Sequence, residues 1–474
     1  MGLLRGDAGL AGEGPAGMST RRSALRWLEQ LLADDLARLM VSNGLGVLLA
    51  KIATAGLSYA TFVVFARVLS PRDYGFFAVG LGLAMVVATM AGCGLTTALL
   101  RFLPEYEAQR RPGLSKGVVV FSCALTLAGA LAAIVVVQLA AWSAAWIAGE
   151  EEFSYLACTG LLAATFALSD LIASILRARG SVGWALLPRD VVWRIFLIGT
   201  AGMASLSAIS LSADTAILLA AVTLGLVMVV QAFHAWRSLR NVLAARAAFA
   251  CRHWLTTALP MWGSAVLFAL VQQSDVVVVS MLMSPEEAGR YFAAMRTASL
   301  LGLLLVAGNI VSAPVISRLF HAGDHAGLER FCRLSATCLG VPALLGFLFL
   351  VVAGRDMLAV FDPAIVDAYP ALVVLAAGFA FDAASGPTGY FQQMIGRENA
   401  YFRTMLATFA LVLPAQLVLT PAFGLLGAAV PSAVGAVAWN VVAIRRLRSE
   451  YGLDCSLLGL LWWPRPREHA WRTT

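Results

Sequence analysis

Runs of about twenty apolar residues recur along almost the whole chain, separated by short polar connections. Each run is long enough to cross roughly 30 Å of hydrocarbon as a helix. The pattern predicts an all-α membrane protein with about twelve transmembrane helices, at 44–66, 75–99, 117–147, 153–176, 189–209, 213–236, 256–281, 289–316, 332–353, 369–394, 401–420 and 422–444. The third run exceeds what a bilayer needs, so it tilts or projects past the surface. Only a short Ser-rich turn at 205–212 divides the fifth run from the sixth. Ahead of the spans, Leu25, Leu28, Leu32, Leu36 and Leu39 recur at spacings of three and four, with Arg26, Glu29, Asp34, Asp35 and Arg38 between them. This predicts an amphipathic helix over 23–42 lying on the membrane surface. Residues 1–22 lack a long apolar core and read as a disordered tail rather than a signal peptide.

The connections alternate in charge. One set carries Arg101, Arg110, Arg111 and Lys116, then Arg177 and Arg179, then Arg237, Arg240, Arg246 and Arg252, then Arg318, Arg330, Arg333 and Arg397. The other set carries Glu150 to Glu152, Asp214, Glu286, Glu287, Asp356, Asp362 and Asp367. Positively charged loops stay in the cytoplasm, so both termini are expected there, as an even span count also requires. The expected divisions are a six-helix lobe at 43–236, a cytoplasmic linker at 237–255, a second six-helix lobe at 256–447 and a cytoplasmic tail at 448–474. Composition sharpens the picture. The 474 residues are 60% hydrophobic and only 13% charged, against roughly 25% charged for an ordinary soluble chain. The net charge of +7 therefore speaks to topology rather than to nucleic acid.

The chain also repeats itself. Ser70-Pro71-Arg72-Asp73-Tyr74-Gly75-Phe76-Phe77 and Ser284-Pro285-Glu286-Glu287-Ala288-Gly289-Arg290-Tyr291 both read Ser-Pro-x-acidic-x-Gly-x-aromatic. Each is expected in the turn between the first and second span of a six-span half. Arg101 and Arg318, Phe166 and Phe379, and Asp170 and Asp382 follow at nearly the same offset. Two six-span halves enter the membrane from the same side. Their pseudo-twofold axis then runs along the membrane normal, which gives two lobes around a central cavity and suits a transporter.

The stretch Ala66-Arg67-Val68-Leu69-Ser70-Pro71-Arg72-Asp73-Tyr74-Gly75-Phe76-Phe77-Ala78 resembles the first-hairpin signature of the bacterial polysaccharide-biosynthesis flippases. These share a superfamily with the multidrug and toxin extrusion transporters and the lipid II flippases. Gly92-Cys93-Gly94-Leu95-Thr96-Thr97-Ala98-Leu99-Leu100-Arg101-Phe102 is similar to the second span of that family. The resemblance covers most of 44–445 in layout, with its specific wording in 66–106. It implies export of an undecaprenyl-diphosphate-linked oligosaccharide from the cytoplasmic to the periplasmic leaflet of the inner membrane, for O-antigen, exopolysaccharide or capsule assembly. A polysaccharide polymerase and glycosyltransferases are the partners it implies.

Charged residues inside the spans need a reason, since each costs about 2.5–3.5 kcal/mol at the bilayer centre. Lys51, Arg194 and Arg296 sit within predicted spans. They either snorkel to the interface or form ion pairs, or they line a cavity that receives a diphosphate. Asn309, with Gln392, Gln393 and Asn440, can hydrogen-bond sugar hydroxyls there, or simply join helices. An Asp stem is too short to snorkel far. Asp275 lies in the cluster Gln272-Gln273-Ser274-Asp275, Asp382 stands four residues before an expected bend at Gly386-Pro387, and Asp170 lies nearer a span end. For these three, a proton or sodium coupling site stands beside structural pairing.

Other chemistry finds little support. Cys93, Cys123, Cys158, Cys251, Cys332, Cys338 and Cys455 show no CxxC spacing, so small buried hydrophobes are expected rather than zinc ligands or a disulfide framework. The five histidines lack metal-ligand spacing, and no nucleotide-binding or hydrolase motif occurs. Neither a cofactor nor enzymatic activity is expected. The Trp- and Arg-rich stretch 457–472 reads as an interfacial anchor. Two alternatives to the flippase remain: a cation-coupled multidrug exporter of the same superfamily, and a membrane enzyme of polysaccharide polymerisation or ligation. The first would not need an arginine-rich cavity, and the second typically carries a large outer loop that is missing here.

Overall fold

The computed structural model describes residues 53–148, 154–206, 211–395, 397–457 and 459. The expected tail at 1–22, the amphipathic helix at 23–42, Lys51 and most of the C-terminal anchor lie outside the described residues. The elements in chain order are α1 (Ala53–Val68), α2 (Pro71–Ala91), α3 (Leu95–Ala108), α4 (Pro112–Ala148), α5 (Ser154–Ala178), α6 (Val182–Leu187), α7 (Trp193–Leu206) and α8 (Ala213–Leu243). Then follow α9 (Cys251–Leu282), α10 (Pro285–Ala298), α11 (Gly302–His321), α12 (His325–Ala359), α13 (Tyr369–Ala384), α14 (Thr388–Met394), α15 (Glu398–Phe423) and α16 (Leu425–Tyr451). Among the described residues nine helices are long and apolar enough to cross a membrane, and α1 is a shorter apolar helix. The protein is an all-α, multi-pass membrane protein of two lobes.

The predicted fifth and eighth spans are each built from pieces. The fifth begins before its expected start, because α6 continues through a π-helical turn at Pro188–Val192 into α7. A wider turn accommodates a proline that would otherwise block a carbonyl partner. The eighth is α10, a 3₁₀ turn at Ser299–Leu301, and α11. At the expected bend near Gly386-Pro387 the helix stops altogether: α13 ends at Ala384, and Gly386 takes φ +70° before α14 starts. The 37-residue α4 spans about 55 Å at 1.5 Å per residue, which accounts for its excess length in the sequence.

The Ser-Pro repeat is a structural repeat. Ser70 and Ser284 both cap a helix N-terminus, accepting from the backbone N–H of Asp73 at 3.1 Å and of Glu287 at 3.2 Å, with proline in the first turn. The two motifs also touch each other. A Cβ on Gly75 would fall on the Pro285 carbonyl oxygen, and one on Gly289 would lie 3.0 Å from the Tyr74 ring and 3.2 Å from the Gly75 nitrogen. Each repeat's glycine thus meets the other repeat, the reciprocal contact that a twofold relation produces. Close backbone approach requires the missing side chains.

The apolar core divides unevenly between the ends. At the Ser-Pro end one continuous cluster joins Phe62, Phe65 and Phe77 of the first lobe to Phe292, Leu350, Leu372 and Ala428 of the second. At the opposite, arginine-rich end the clusters are separate. One contains Leu99, Phe102, Tyr106, Leu176 and Leu239; the other contains Ile316, Leu328, Phe391 and Leu447. The lobes therefore share a core at one end only. Helix α9 reaches across the sequence boundary. Its Trp254 and Ala258 belong to the first lobe's core, and Trp254 Nε1 donates to the Tyr106 hydroxyl at 2.9 Å. The connection itself is short, since α8 runs to Leu243 and α9 starts at Cys251. The expected tail also begins as structure: α16 ends at Tyr451, and Leu453 to Ser456 are buried. There the buried Cys455 packs against the buried Cys332 of α12.

Candidate functional site at the seam between the lobes

The seam holds one of the predicted cationic residues, Arg296, while Arg194 packs within the first lobe. Arg296 leaves α10 half-buried, with its guanidinium carbon 4.7 Å from the Phe292 ring centroid and 5.1 Å from that of Phe62, on the other lobe. Its Nη2 reaches the Gln273 side-chain oxygen at only 3.5 Å, and its Nε is buried without a hydrogen-bond partner among the described residues. Arg194, placed by the π-turn at the start of α7, packs its guanidinium 5.4 Å from the Trp193 ring centroid. Its Nε is likewise buried and unpartnered among the described residues. Asp190 of the π-turn stands four residues before Arg194, and its charge acts on that arginine. No ion pair at 4 Å or less engages either arginine among the described residues. Asn309 sits on α11 with its Oδ1 buried and without a hydrogen-bond partner among the described residues. Lys51 lies outside the described residues.

The three predicted aspartates occupy different environments. Asp275 on α9 is buried and accepts from the Tyr291 hydroxyl at 2.9 Å, Gln416 Nε2 at 2.8 Å and the Ser432 hydroxyl at 2.7 Å. These donors come from α10, α15 and α16, so one carboxylate ties four helices of the second lobe with no cation beside it in the described residues. Asp382, just before the α13–α14 break, accepts from Asn440 Nδ2 at 2.6 Å, while Asn440 Oδ1 accepts from Thr388 at 3.2 Å. Asp170 is ion-paired with Arg189 of the π-turn. No cluster of three or more metal-ligating side chains occurs among the described residues.

Several partners escaped the sequence reading. Gln416 and Ser432 lie far from Asp275 in the chain and carry no motif. Tyr74 and Tyr291 stand out only as the polar aromatics of the repeat motifs, and Phe62 and Phe292 as ordinary apolar residues. Of the candidate sugar-binding amides, Asn440 is engaged as a helix–helix contact, and Gln392 and Gln393 point weakly to backbone carbonyls at 3.5 and 3.4 Å.

Comparison with known proteins bears on this geometry. Residues 40–320, more than half of the chain, match the family described as polysaccharide biosynthesis protein. The chain belongs to that family. A curated relative is the succinoglycan biosynthesis transport protein ExoT of Rhizobium meliloti (strain 1021), 28% identical over 348 residues, which cover 69% of this chain and 64% of that protein. The match thus spans a little under two thirds of the relative's length. Among solved structures, an inward-facing multidrug resistance transporter of the MATE family and MOP superfamily superposes with a TM-score of 0.70 at 15% identity, covering 85% of this chain and 97% of that one. A MOP superfamily transporter from Pyrococcus furiosus, described as having a binding pocket of reversed polarity, gives 0.62 at 16% identity over 89% of this chain and 97% of that one. At such identity these neighbours establish the two-lobed transporter fold of this polysaccharide-biosynthesis family member, and nothing about cargo.

Proposed function

We propose that this polysaccharide-biosynthesis family member is a non-enzymatic flippase. It moves an undecaprenyl-diphosphate-linked oligosaccharide from the cytoplasmic to the periplasmic leaflet of a bacterial inner membrane, for O-antigen, exopolysaccharide or capsule assembly. The observation that carries this reading is Arg296, a cation held at the seam between aromatic rings of both lobes with no ion pair at 4 Å or less among the described residues. A buried charge without an ion-pair partner is costly alone and is relieved by an anion. A guanidinium also matches phosphate oxygens geometrically. Lys51 and Asn309 complete the proposed substrate surface, with Asn309 aimed at sugar hydroxyls.

In this reading the arginine-rich end faces the cytoplasm, both termini lie there, and the Ser-Pro end faces the periplasm. The shared core at the Ser-Pro end then describes a state closed to the periplasm, and the divided cores allow entry from the cytoplasmic side. Alternating access separates the Ser-Pro ends and joins the arginine ends. Proton or sodium coupling falls to Asp275 and Asp382, whose present partners are all neutral. Asp170 belongs to the coupling set only if its bond to Arg189 breaks during the cycle. A polymerase and glycosyltransferases act before and after it in the membrane.

The MATE-like fold favours one alternative, a cation-coupled multidrug exporter. Reconstitution separates the two. Purified protein in vesicles is offered a fluorescent undecaprenyl-diphosphate sugar, with a cationic dye as control cargo. Movement of the lipid-linked sugar, reduced by Arg296→Gln, supports the flippase; movement of the dye alone overturns it.

A further inference from the structure

Arg296 belongs to one lobe but sits between aromatic rings of both. Phe292 precedes it by one turn on α10, and Phe62 reaches it from α1. The two rings meet edge to face, with centroids 5.0 Å apart and an interplanar angle of 82°. Both phenylalanines are buried in the shared core of the Ser-Pro end. One helical turn nearer that end, Arg67 Nε of α1 donates to the carbonyl of Val360, at the C-terminus of α12, over 2.7 Å. Thr297, buried beside Arg296, faces the Tyr59 hydroxyl of α1 at 3.4 Å. The cation at the proposed anion site is therefore also part of the contact that keeps the Ser-Pro ends together.

We infer that Phe62 and Phe292 form a two-lobed aromatic seat for the Arg296 guanidinium, so that an anionic head group drawing Arg296 away from the seat loosens the closed Ser-Pro end. The inference rests on the flippase reading for the identity of the anion. Phe62 is on this account a positioning residue, acting on cargo only through Arg296. A cation–π contact screened from water is worth more than an exposed one, and it is lost when the cation is neutralised or displaced. An anion at the seam competes with the rings for the same charge. A ligand that interacts differently with the closed and open states shifts the balance between them, whereas a neutral cargo does not.

The test uses the full chain with its native cysteines replaced and Thr297→Cys as reporter. A membrane-impermeant thiol reagent is enclosed in the lumen of inverted inner-membrane vesicles, which is the periplasmic side, and the probe ligands, geranyl diphosphate and neutral geraniol, are added outside, at the cytoplasmic side. The expected parent behaviour is slow labelling that geranyl diphosphate accelerates and geraniol does not. Phe62→Leu should raise the unliganded rate on the order of tenfold and abolish the response to diphosphate, while Phe62→Tyr, which keeps the ring, behaves as the parent. Arg296→Gln should mimic Phe62→Leu, and the double variant should be no faster than either single one, because both remove the same contact. Unchanged labelling in Phe62→Leu, or additive effects in the double variant, would overturn the seat. Normal flipping of lipid-linked sugar with such labelling would leave the flippase standing without it. Seat-like labelling without any flipping would do the reverse.

Discussion

Arg296 and Asp275 are both ionisable, both within the membrane, and held in opposite ways. Asp275 has three donors at ordinary hydrogen-bond distances, and Arg296 has one long contact and an unpartnered Nε. Their substitutions should therefore separate stability from transport. Asp275→Ala strands the Tyr291, Gln416 and Ser432 donors, and is expected to lower stability by about 1–3 kcal/mol, read as a lower melting temperature in detergent. Arg296→Gln removes an isolated charge, so the melting temperature should hold or rise while the initial rate of lipid-linked sugar flipping falls roughly tenfold or more, the scale of one charge-assisted hydrogen bond. Equal losses of stability in both variants would contradict the division of roles. At this scale the sequence was partly legible. A charge in an apolar run announces itself, so Arg194, Arg296, Asp275 and Asp382 were all visible as candidates. Their partners were not, because Gln416 and Ser432 look like any helix–helix polar residue, and Phe62 like any core residue. Which of two readings applies to an intramembrane charge depends on what packs against it, as the contrast between Asp170 with Arg189 and Asp382 with Asn440 illustrates.

Helices were the most legible level, because a bilayer demands long uninterrupted apolar runs and the chain supplies them. Interruptions inside spans were harder. The Gly386-Pro387 break was foreseen from its residues, whereas the turn at Gly92 to Gly94, with Gly94 at φ +71°, was not. There a Cβ on Gly94 would fall on the Ala258 carbonyl oxygen, so the glycine serves both a left-handed turn and a close approach to α9. Nor could local rules show that Pro188 would be absorbed by a π-turn that also sets the position of Arg194. The Ser-Pro motif was legible as a repeat, and its physical content is a capped helix start plus a glycine crossing. Ser284→Ala should cost about 1 kcal/mol through loss of the cap, seen in the melting temperature with transport otherwise retained. Gly75→Val places a branched side chain on the Pro285 backbone and is expected to keep the Ser-Pro ends apart. Periplasmic labelling of Thr297→Cys should then be fast with or without ligand, and flipping should stop. A labelling rate equal to that of the parent would show that the crossing tolerates a side chain.

For the whole molecule, the question is whether the two ends can be open together. One core runs across both lobes at the Ser-Pro end, and separate cores stand at the other, so the structure has a joined end and a divided end. Helix α9 has a foot in each lobe: Trp254 and Ala258 pack with the first, and Asp275 is tied to α15 and α16 of the second. Pro260 lies in α9 between these anchors. A proline weakens the local backbone ladder, so this is where the helix can bend without tearing either attachment. The consequence can be tested by fixing the joined end. With the native cysteines removed, a cleavable bifunctional thiol reagent bridging Arg67→Cys and Val360→Cys should react readily in the unliganded protein, because the parent side chain and carbonyl meet there across the lobes. The bridge should stop flipping, and cleaving it should restore flipping. Full transport with the bridge in place would mean that cargo crosses without parting the Ser-Pro ends, and alternating access would have to give way to a path along the lipid-facing surface. A block that cleavage relieves ties passage to the opening of this one seam, where Arg296 lies.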